Sequence, residues 1–304
     1  MSEYHLPVLL SESVNGLITN PSGTYVDVTF GGGGHSRQIL SLLNEDGRLL
    51  AFDQDSDALA NAIDDPRFTL IHENFKFLKS YLRLNGVRRI DGLLADLGVS
   101  SHQFDEAGRG FSTRFDAELD LRMDQRQPVS AKDIVNTASE TELRDIFRKY
   151  GELPNAAKLA HCIVSARTVK PIVTTFDLKN VLEGQIPRNQ ENKFFAMIFQ
   201  ALRIEVNDEL EALQQMLSQS VEILGEGGRL VVISYHSLED RLVKNLMKTG
   251  NFEGEVKKDF YGNKISPLEP VTRKPIVPSD EEQEKNSRSR SAKLRIAEKK
   301  PQQP

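Results

Sequence analysis

YVDVTFGGGGHSRQILSLLNEDGRLLAFDQD, residues 25–55, is the stretch whose reading decides the fold. It reads as a strand, a glycine-rich turn, a helix and a second strand that ends on an acid. Val26, Val28 and Phe30 are the β-branched and aromatic residues of a buried strand. Gly31 to Gly34 let the backbone turn tightly and approach a ligand that any Cβ would hold off. A helix opens at His35 or Ser36, with Ile39, Leu40 and Leu43 on its inner face. Asp53 stands 20 residues after Gly33, where a doubly wound fold offers a carboxylate to ribose hydroxyls. A nucleoside-containing cofactor is therefore expected. The plainer alternative is a tight strand-to-helix turn with no ligand, and the strand-end acids on both sides of the glycines weigh against it.

The nucleotide pattern GxGxxG, started at Gly31, requires glycine at position 36 and meets Ser36. No Gly-Lys-Ser/Thr follows, so a phosphate-binding lysine loop is absent as well. What fits is an acid at Asp27 followed by Thr29, Gly31 and Gly33. This resembles the first motif of class I methyltransferases, D/E-x-G-x-G-x-G, with threonine at its first glycine.

The 304 residues are enough for one large or two ordinary domains. The single cysteine, Cys162, excludes an internal disulfide framework and a multi-cysteine metal site, and no metal centre is expected. Cys162 lies in an apolar helical pattern and reads as a core residue. No charged-then-apolar leader opens the sequence, and no run of about 18 apolar residues would span a membrane, so a soluble cytoplasmic protein without membrane partners is expected. A net charge of -5 argues against non-specific binding to naked nucleic acid, but not against a structured RNA particle read by a local basic surface.

Residues 7–19 predict a short amphipathic helix. After Asp53 the pattern gives a helix from about Ser56, a strand at 67–73, a helix from Phe75 to Leu84 and a strand at 90–99. Alternating β and α elements imply a parallel sheet with helices on both faces, and ligands lie beyond the carboxyl ends of such strands. Asp27, Asp53, Phe75 and Asp96 would line that edge. The next sheet strand is GRLVVISYH, 228–236, too far along for one βαβ unit of about 30 residues. The intervening residues predict helices ending near Gly151, around Leu159 to Val164, from Thr175 to Pro187, and from Phe194 to Leu224 with a break near Asn207. The expected organisation is a discontinuous α/β domain, 1–112 with 205–304, and a helical substrate-recognition insert, 113–204. FEGEVKKDF (252–260) and AKLRIAEK (292–299) predict a final antiparallel pair of strands, and the polar stretch from Pro278 to Arg290 between them a loop or disordered segment. From Asn251 onward there are 12 Lys/Arg against 9 Asp/Glu, a mildly basic end.

DLGVSSHQFD (96–105) offers Asp96, Ser100, Ser101 and Gln103 beyond the fourth strand, in place of the proline-containing motif usual in enzymes that methylate exocyclic amines. RGFSTRFDAELDLRMD (109–124) has poor periodicity and predicts an irregular lid or linker. Its Arg109, Arg122 and Asp124 either clamp substrate or pair with one another. In SYHSLEDR (234–241), Ser237 would cap a helix with Asp240 at its third position, while Tyr235 and His236 project at the ligand edge. Arg203, Glu205 and Asn207 sit near the return from insert to core and read as residues that orient domains.

TFGGGGHS, DLGVSS, RGFS, LDLRMD, FQALRIEVNDEL, YHSLEDR and SRSAKLRIAE, in this order over nearly the whole chain, resemble the bacterial MraW (RsmH) family. That resemblance implies a class I, Rossmann-like methyltransferase sheet, S-adenosyl-L-methionine as cofactor, and methylation of the N4 amine of a cytidine in the decoding region of small-subunit ribosomal RNA. It implies cofactor contacts at Gly33, Gly34, His35, Asp53, Phe75, Asp96 and Gln103. Two positions depart from the family, Gly32 where relatives often carry arginine and His102 where proline is common. Asp96 is the first candidate for the proton acceptor at N4, and His236 the second. The expected partner is small-subunit ribosomal RNA within the small ribosomal subunit; a homodimer is left open. The rival readings are an NAD-linked oxidoreductase on a similar fold and a non-catalytic ribosome-assembly factor.

Overall fold

The computed structural model describes residues 7–187 and 189–301; positions 1–6, 188 and 302–304, included in the expected domains, lie outside the described residues. The chain divides into two compact units, 1–98 with 210–304, and 99–209.

In the first unit seven strands form one sheet in the order β3-β2-β1-β4-β5-β7-β6. The strands are β1 (Thr24–Asp27), β2 (Arg48–Asp53), β3 (Phe68–His72), β4 (Ile90–Asp96), β5 (Leu224–Ser234), β6 (Leu268–Pro270) and β7 (Lys293–Lys299). Strands β1 to β5 are parallel, and β7 runs antiparallel to both β5 and β6. This is the Rossmann-like class expected from the alternation of strands and helices. Both faces are covered, which is why the strands read as near-continuous apolar runs. Val26, Leu50, Leu93 and Val232 pack on one side with Leu78, Leu82, Leu213, Leu217 and Val243. Tyr25, Leu49, Leu94 and Val231 pack on the other with Val14, Leu17, Ile39 and Leu40.

Local elements differ from expectation where backbone chemistry overrides side-chain pattern. The helix after the glycine turn begins at Gly34, one residue before the expected start, because left-handed Gly33 (φ 75°) serves as its cap without a side-chain bond. Ser56–Asn61 is a 3-10 helix, capped when Asp55 accepts from the Asp57 N–H. The expected strand at 252–260 does not form. Instead residues 257–265 fold back on themselves, and the strand that pairs with β7 is Leu268–Pro270. The stretch 278–290, expected to be loop or disordered, holds the helix Asp280–Lys285 and most of the 3-10 helix Ser287–Ser291. Ser279 and Asn286 cap the two, and Glu282 accepts from the Leu9 N–H at 2.8 Å. A polar segment with no apolar period is ordered here by caps, which periodicity does not register.

The second unit contains the helices Ser101–Asp105, Ala131–Thr137, Glu140–Lys149, Ala156–Arg167, Thr175–Leu182 and Glu191–Asn207. Four of them start in capping boxes, Ser100 with Gln103, Ser130 with Asp133, Ser139 with Glu142, and Thr174 with Asp177. Asp208 (φ 51°) breaks the long apolar segment between Asn207 and Glu209. Residues 99–112, expected in the α/β domain, fold with this helical unit, as do 205–209. Apolar packing accounts for the boundary, since Phe111 is buried in the helical core and Phe104 packs against it. The segment 109–124 is irregular, yet it is not a lid: Phe111, Leu119, Leu121 and Met123 are buried in the same core. Among the described residues no helix is long and apolar enough to cross a membrane.

Candidate functional site

The carboxyl ends of β1, β2 and β4 carry Asp27, Asp53 and Asp96, one acid on each of three adjacent strands. Beyond Asp27 the chain keeps to the sheet for three more residues, with Val28 N–H donating to Leu94 O and Phe30 N–H to Phe52 O, both at 2.9 Å. It then turns at Gly31 to Gly33 into the helix Gly34–Leu42.

Asp27 is fully buried and its bonds are internal. One oxygen accepts from the Thr29 N–H (3.1 Å), the other from the Ser36 hydroxyl (2.7 Å). Thr29 Oγ1 in turn accepts from the Asp96 N–H at 2.7 Å. Asp27 thus ties the turn to its strand and to the neighbouring tip, which is a structural task. The glycines also answer partly to the protein itself. A Cβ on Gly34 would stand 2.3 Å from the ring of Pro7, and one on Gly33 would meet Phe30 at 2.9 Å. At Gly32 it would meet nothing within 4 Å, so a side chain can start from this position.

Asp53 and Asp96 differ from Asp27 in remaining half-buried. Asp53 accepts from Gly31 N–H (2.7 Å) and Asp55 N–H (2.9 Å), and burial pushes its carboxyl up to about 6. Asp96 accepts from the Tyr235 hydroxyl at 2.7 Å, its other oxygen lies 3.9 Å from His35 Nδ1, and burial pushes it up to about 6 as well. His35 is buried in the first turn of its helix; burial pushes its pKa down, against the pull of Asp96, and its Nε2 has no hydrogen-bond partner. Tyr235 is the residue that sequence reasoning undervalued. Its place one step past the end of β5 was legible, but its bond to a carboxylate 139 positions away was not.

Phe75 is half-buried against the sheet core and opens a 3-10 turn capped by Asn74, whose amide donates to Gln54 Oε1 at 2.6 Å. Gln103 is buried in the second unit, where its Oε1 accepts from the Ser100 N–H at 3.0 Å. His236, not Ser237, caps the helix Ser237–Thr249, and the third position is Glu239 rather than Asp240. The His236 ring stands 3.1 Å from Glu239 Oε1, while Asp240 forms a bidentate pair with Arg295. In the irregular segment Arg122 pairs with Asp120, Arg126 with Asp124, and buried Arg109 donates to the carbonyls of Arg122 and Met123.

The titrations give a stability prediction. The value of Asp96 in the folded chain lies above its ordinary one, so its ionisation costs stability: the cost is absent below about pH 4, grows towards pH 6 and is complete above it. Asp96→Asn keeps an acceptor for Tyr235 and turns an amide towards His35. It is expected to stabilise the protein by about 1–3 kcal/mol at pH 7.5 and by nothing at pH 4. Chemical denaturation at the two pH values checks this. Asp53→Asn gains nothing comparable, because each oxygen already takes a backbone N–H and one would be replaced by a donor.

The model of the MraW methylase family matches residues 2–300. The protein of Flavobacterium johnsoniae named ribosomal RNA small subunit methyltransferase H is 59% identical over 297 residues, covering 98% of this chain and 98% of the relative. The same-named protein of Bacteroides fragilis is 57% identical over 297 residues with the same coverage, and that of Cytophaga hutchinsonii 58%, covering 97% of this chain and 99% of its own. The likeness runs from end to end through both compact units, and the chain belongs to the MraW methylase family.

Proposed function

We propose that this protein transfers a methyl group from S-adenosyl-L-methionine to the N4 amine of a cytidine in the decoding region of small-subunit ribosomal RNA, acting in the cytoplasm on the small ribosomal subunit. The observation that carries the reading is the pair Asp53 and Asp96, partly buried carboxylates raised to about 6 at strand tips, with the buried His35 ring beside Asp96. Such a site calls for hydroxyl donors and a nearby positive charge, and a sulfonium nucleoside brings both. The activity for which the relatives are named supplies the RNA. Neither an NAD-linked oxidoreductase nor a non-catalytic assembly factor gains support from any of this.

In this reading Asp53 accepts from the ribose hydroxyls, Phe75 flanks the adenine, and Gly33, Gly34 and His35 lie against the remainder. Gln103 keeps its place in the set on family likeness. The bound cofactor supplies an already activated methyl on sulfur. The chain's own task is alignment and proton handling, and orientation of two reactants contributes up to roughly 7–11 kcal/mol. The N4 lone pair of cytosine is delocalised into the ring. Asp96, held by Tyr235 through one oxygen, accepts from N4–H with the other and takes the proton as nitrogen is alkylated. His236 is the second candidate, although its ring already serves as a helix cap. Pairing hides N4, so the nucleotide has to be unpaired or splayed out.

Tritiated methyl transfer to small subunits from cells lacking this protein, followed by mapping of the modified base, tests the reading; label absent from the RNA, or on another atom, sinks it. Asp96→Ala is expected to lower turnover by roughly 10²- to 10⁴-fold. Unchanged turnover would dispose of its role. Binding of S-adenosylhomocysteine, read by calorimetry, is expected to weaken as pH falls through about 6, since protonated Asp53 no longer accepts two hydroxyls.

A further inference from the structure

Residues 256–265, VKKDFYGNKI, stand out from the first unit as a tongue. Lys258 and Lys264 form an antiparallel bridge, Ile265 N–H donates to Lys257 O at 2.8 Å, and Gly262 (φ 84°) makes the turn. Asp259 holds the tip, accepting from the backbone N–H groups of Tyr261 (2.9 Å) and Asn263 (2.8 Å) and from the Asn263 amide (3.1 Å). The base is anchored as well, because Asn245 donates to Phe252 O at 2.8 Å and Leu268 is fully buried. On this braced scaffold Phe260 is 98% exposed and Tyr261 85% exposed, the two rings edge to face at 5.7 Å. Two large aromatics at the end of an ordered turn remain in water, where burial of either would be favourable.

Charge says what covers them. The tongue carries three lysines and one aspartate in a chain of net charge -5, and the aspartate is spent on the turn. Lys257 and Lys258 are exposed and make no ion pair among the described residues, while half-buried Lys264 adds to Lys300 in holding the Glu269 carboxyl below its ordinary value. Flat rings beside unpaired cations match unstacked bases beside phosphates. We propose that this tongue is an RNA anchor: Phe260 and Tyr261 stack on unpaired bases of the small-subunit RNA while Lys257, Lys258 and Lys264 meet the flanking phosphates. The proposal rests on the RNA substrate argued above and deepens it.

Topology places the anchor away from the chemistry. Leu268, just past the tongue, pairs with Lys299 at the end of β7, whereas Lys293 at its start pairs with Ser234 near the strand tips. At about 3.3 Å per residue, the tongue springs from a base, Leu268, roughly 20 Å from those tips. It therefore grips RNA remote from the reacting cytidine, and its loss weakens substrate binding without slowing the bound complex.

Equilibrium binding of the full-length protein to unmodified small subunits, measured without methyl transfer, tests this. F260A/Y261A is expected to weaken binding roughly 10- to 100-fold. K257Q/K258Q is expected to flatten the dependence of log Kd on log salt by about one to two. Phe260→Tyr should bind as wild type, and both multiple variants should keep S-adenosylhomocysteine affinity and kcat at saturating subunits. Binding by F260A/Y261A within twofold of wild type overturns the anchor. So do photo-crosslinks from Tyr261 to a ribosomal protein instead of RNA, or a wild-type dimer that F260A/Y261A dissolves. A wild type that binds subunits but transfers no methyl overturns the proposed activity and leaves the anchor standing; one that binds neither subunits nor extracted RNA overturns the anchor.

Discussion

Asp53→Ala is expected to weaken S-adenosylhomocysteine binding by roughly 10²- to 10⁴-fold, the loss of two charge-assisted hydrogen bonds worth about 1.5–3 kcal/mol each. The carboxylate has two duties. It offers acceptors to the ribose diol, and it holds the glycine turn through the Gly31 N–H at 2.7 Å. Removing it frees the turn as it removes the acceptor, so the loss should exceed that from any single cofactor contact. Folding should change little, because the substitution also removes a half-buried carboxylate that burial disfavours. Calorimetric titration, with thermal unfolding of the unliganded variant as control, reads both effects. Affinity within threefold of wild type would mean that the ribose is held elsewhere.

Asn207→Ala is expected to destabilise the helical unit by about 3–5 kcal/mol. Asn207 is 2% exposed. Its Oδ1 accepts from Met123 N–H at 2.7 Å, and its amide donates to Leu121 O at 2.8 Å and Arg203 O at 2.9 Å. Leu121 is fully buried with a left-handed backbone (φ 61°), a conformation costly for a leucine that persists because its surroundings impose it. Truncation leaves a buried N–H and a buried C=O without partners, at about 1–3 kcal/mol each, on top of releasing that backbone. Denaturant unfolding gives the magnitude, and hydrogen exchange at Met123 localises it. Asn207→Asp, which keeps the acceptor but turns a buried carboxylate oxygen towards the carbonyls of Leu121 and Arg203, should destabilise at least as much as alanine at neutral pH. A loss below 1 kcal/mol for the alanine variant would show that the segment 119–123 holds itself.

The same residue shows how far a sequence can be read. The helix break after Asn207 was expected from the run of polar residues, and Asp208 makes it. That Asn207 spends its side chain on residues more than eighty positions earlier was not visible, and its expected task of orienting domains is replaced by pinning a loop within one unit. The segment 109–124 was misread for a related reason. Its buried residues Phe111, Leu119, Leu121 and Met123 follow no helical or strand period because the backbone between them is irregular, and periodicity reports burial only through regular elements. His236 was passed over as a cap because capping statistics favour hydroxyls and carboxylates, whereas here an imidazole takes the Glu239 N–H.

The amino-acid sequence by itself determined the alternation of strands and helices, the glycine turn, and the acids at successive strand ends. These follow from local backbone preference and from apolar period, which need only neighbours along the chain. Only the tertiary structure decided which of those acids stay open. Asp27 is consumed by Thr29 and Ser36, while Asp53 and Asp96 stay partly accessible, both raised to about 6, with Tyr235 and His35 beside Asp96. The physical reason is that hydrogen-bond satisfaction and desolvation depend on groups brought together across the sheet, from β1, β4 and the end of β5, and separation along the chain carries no record of them.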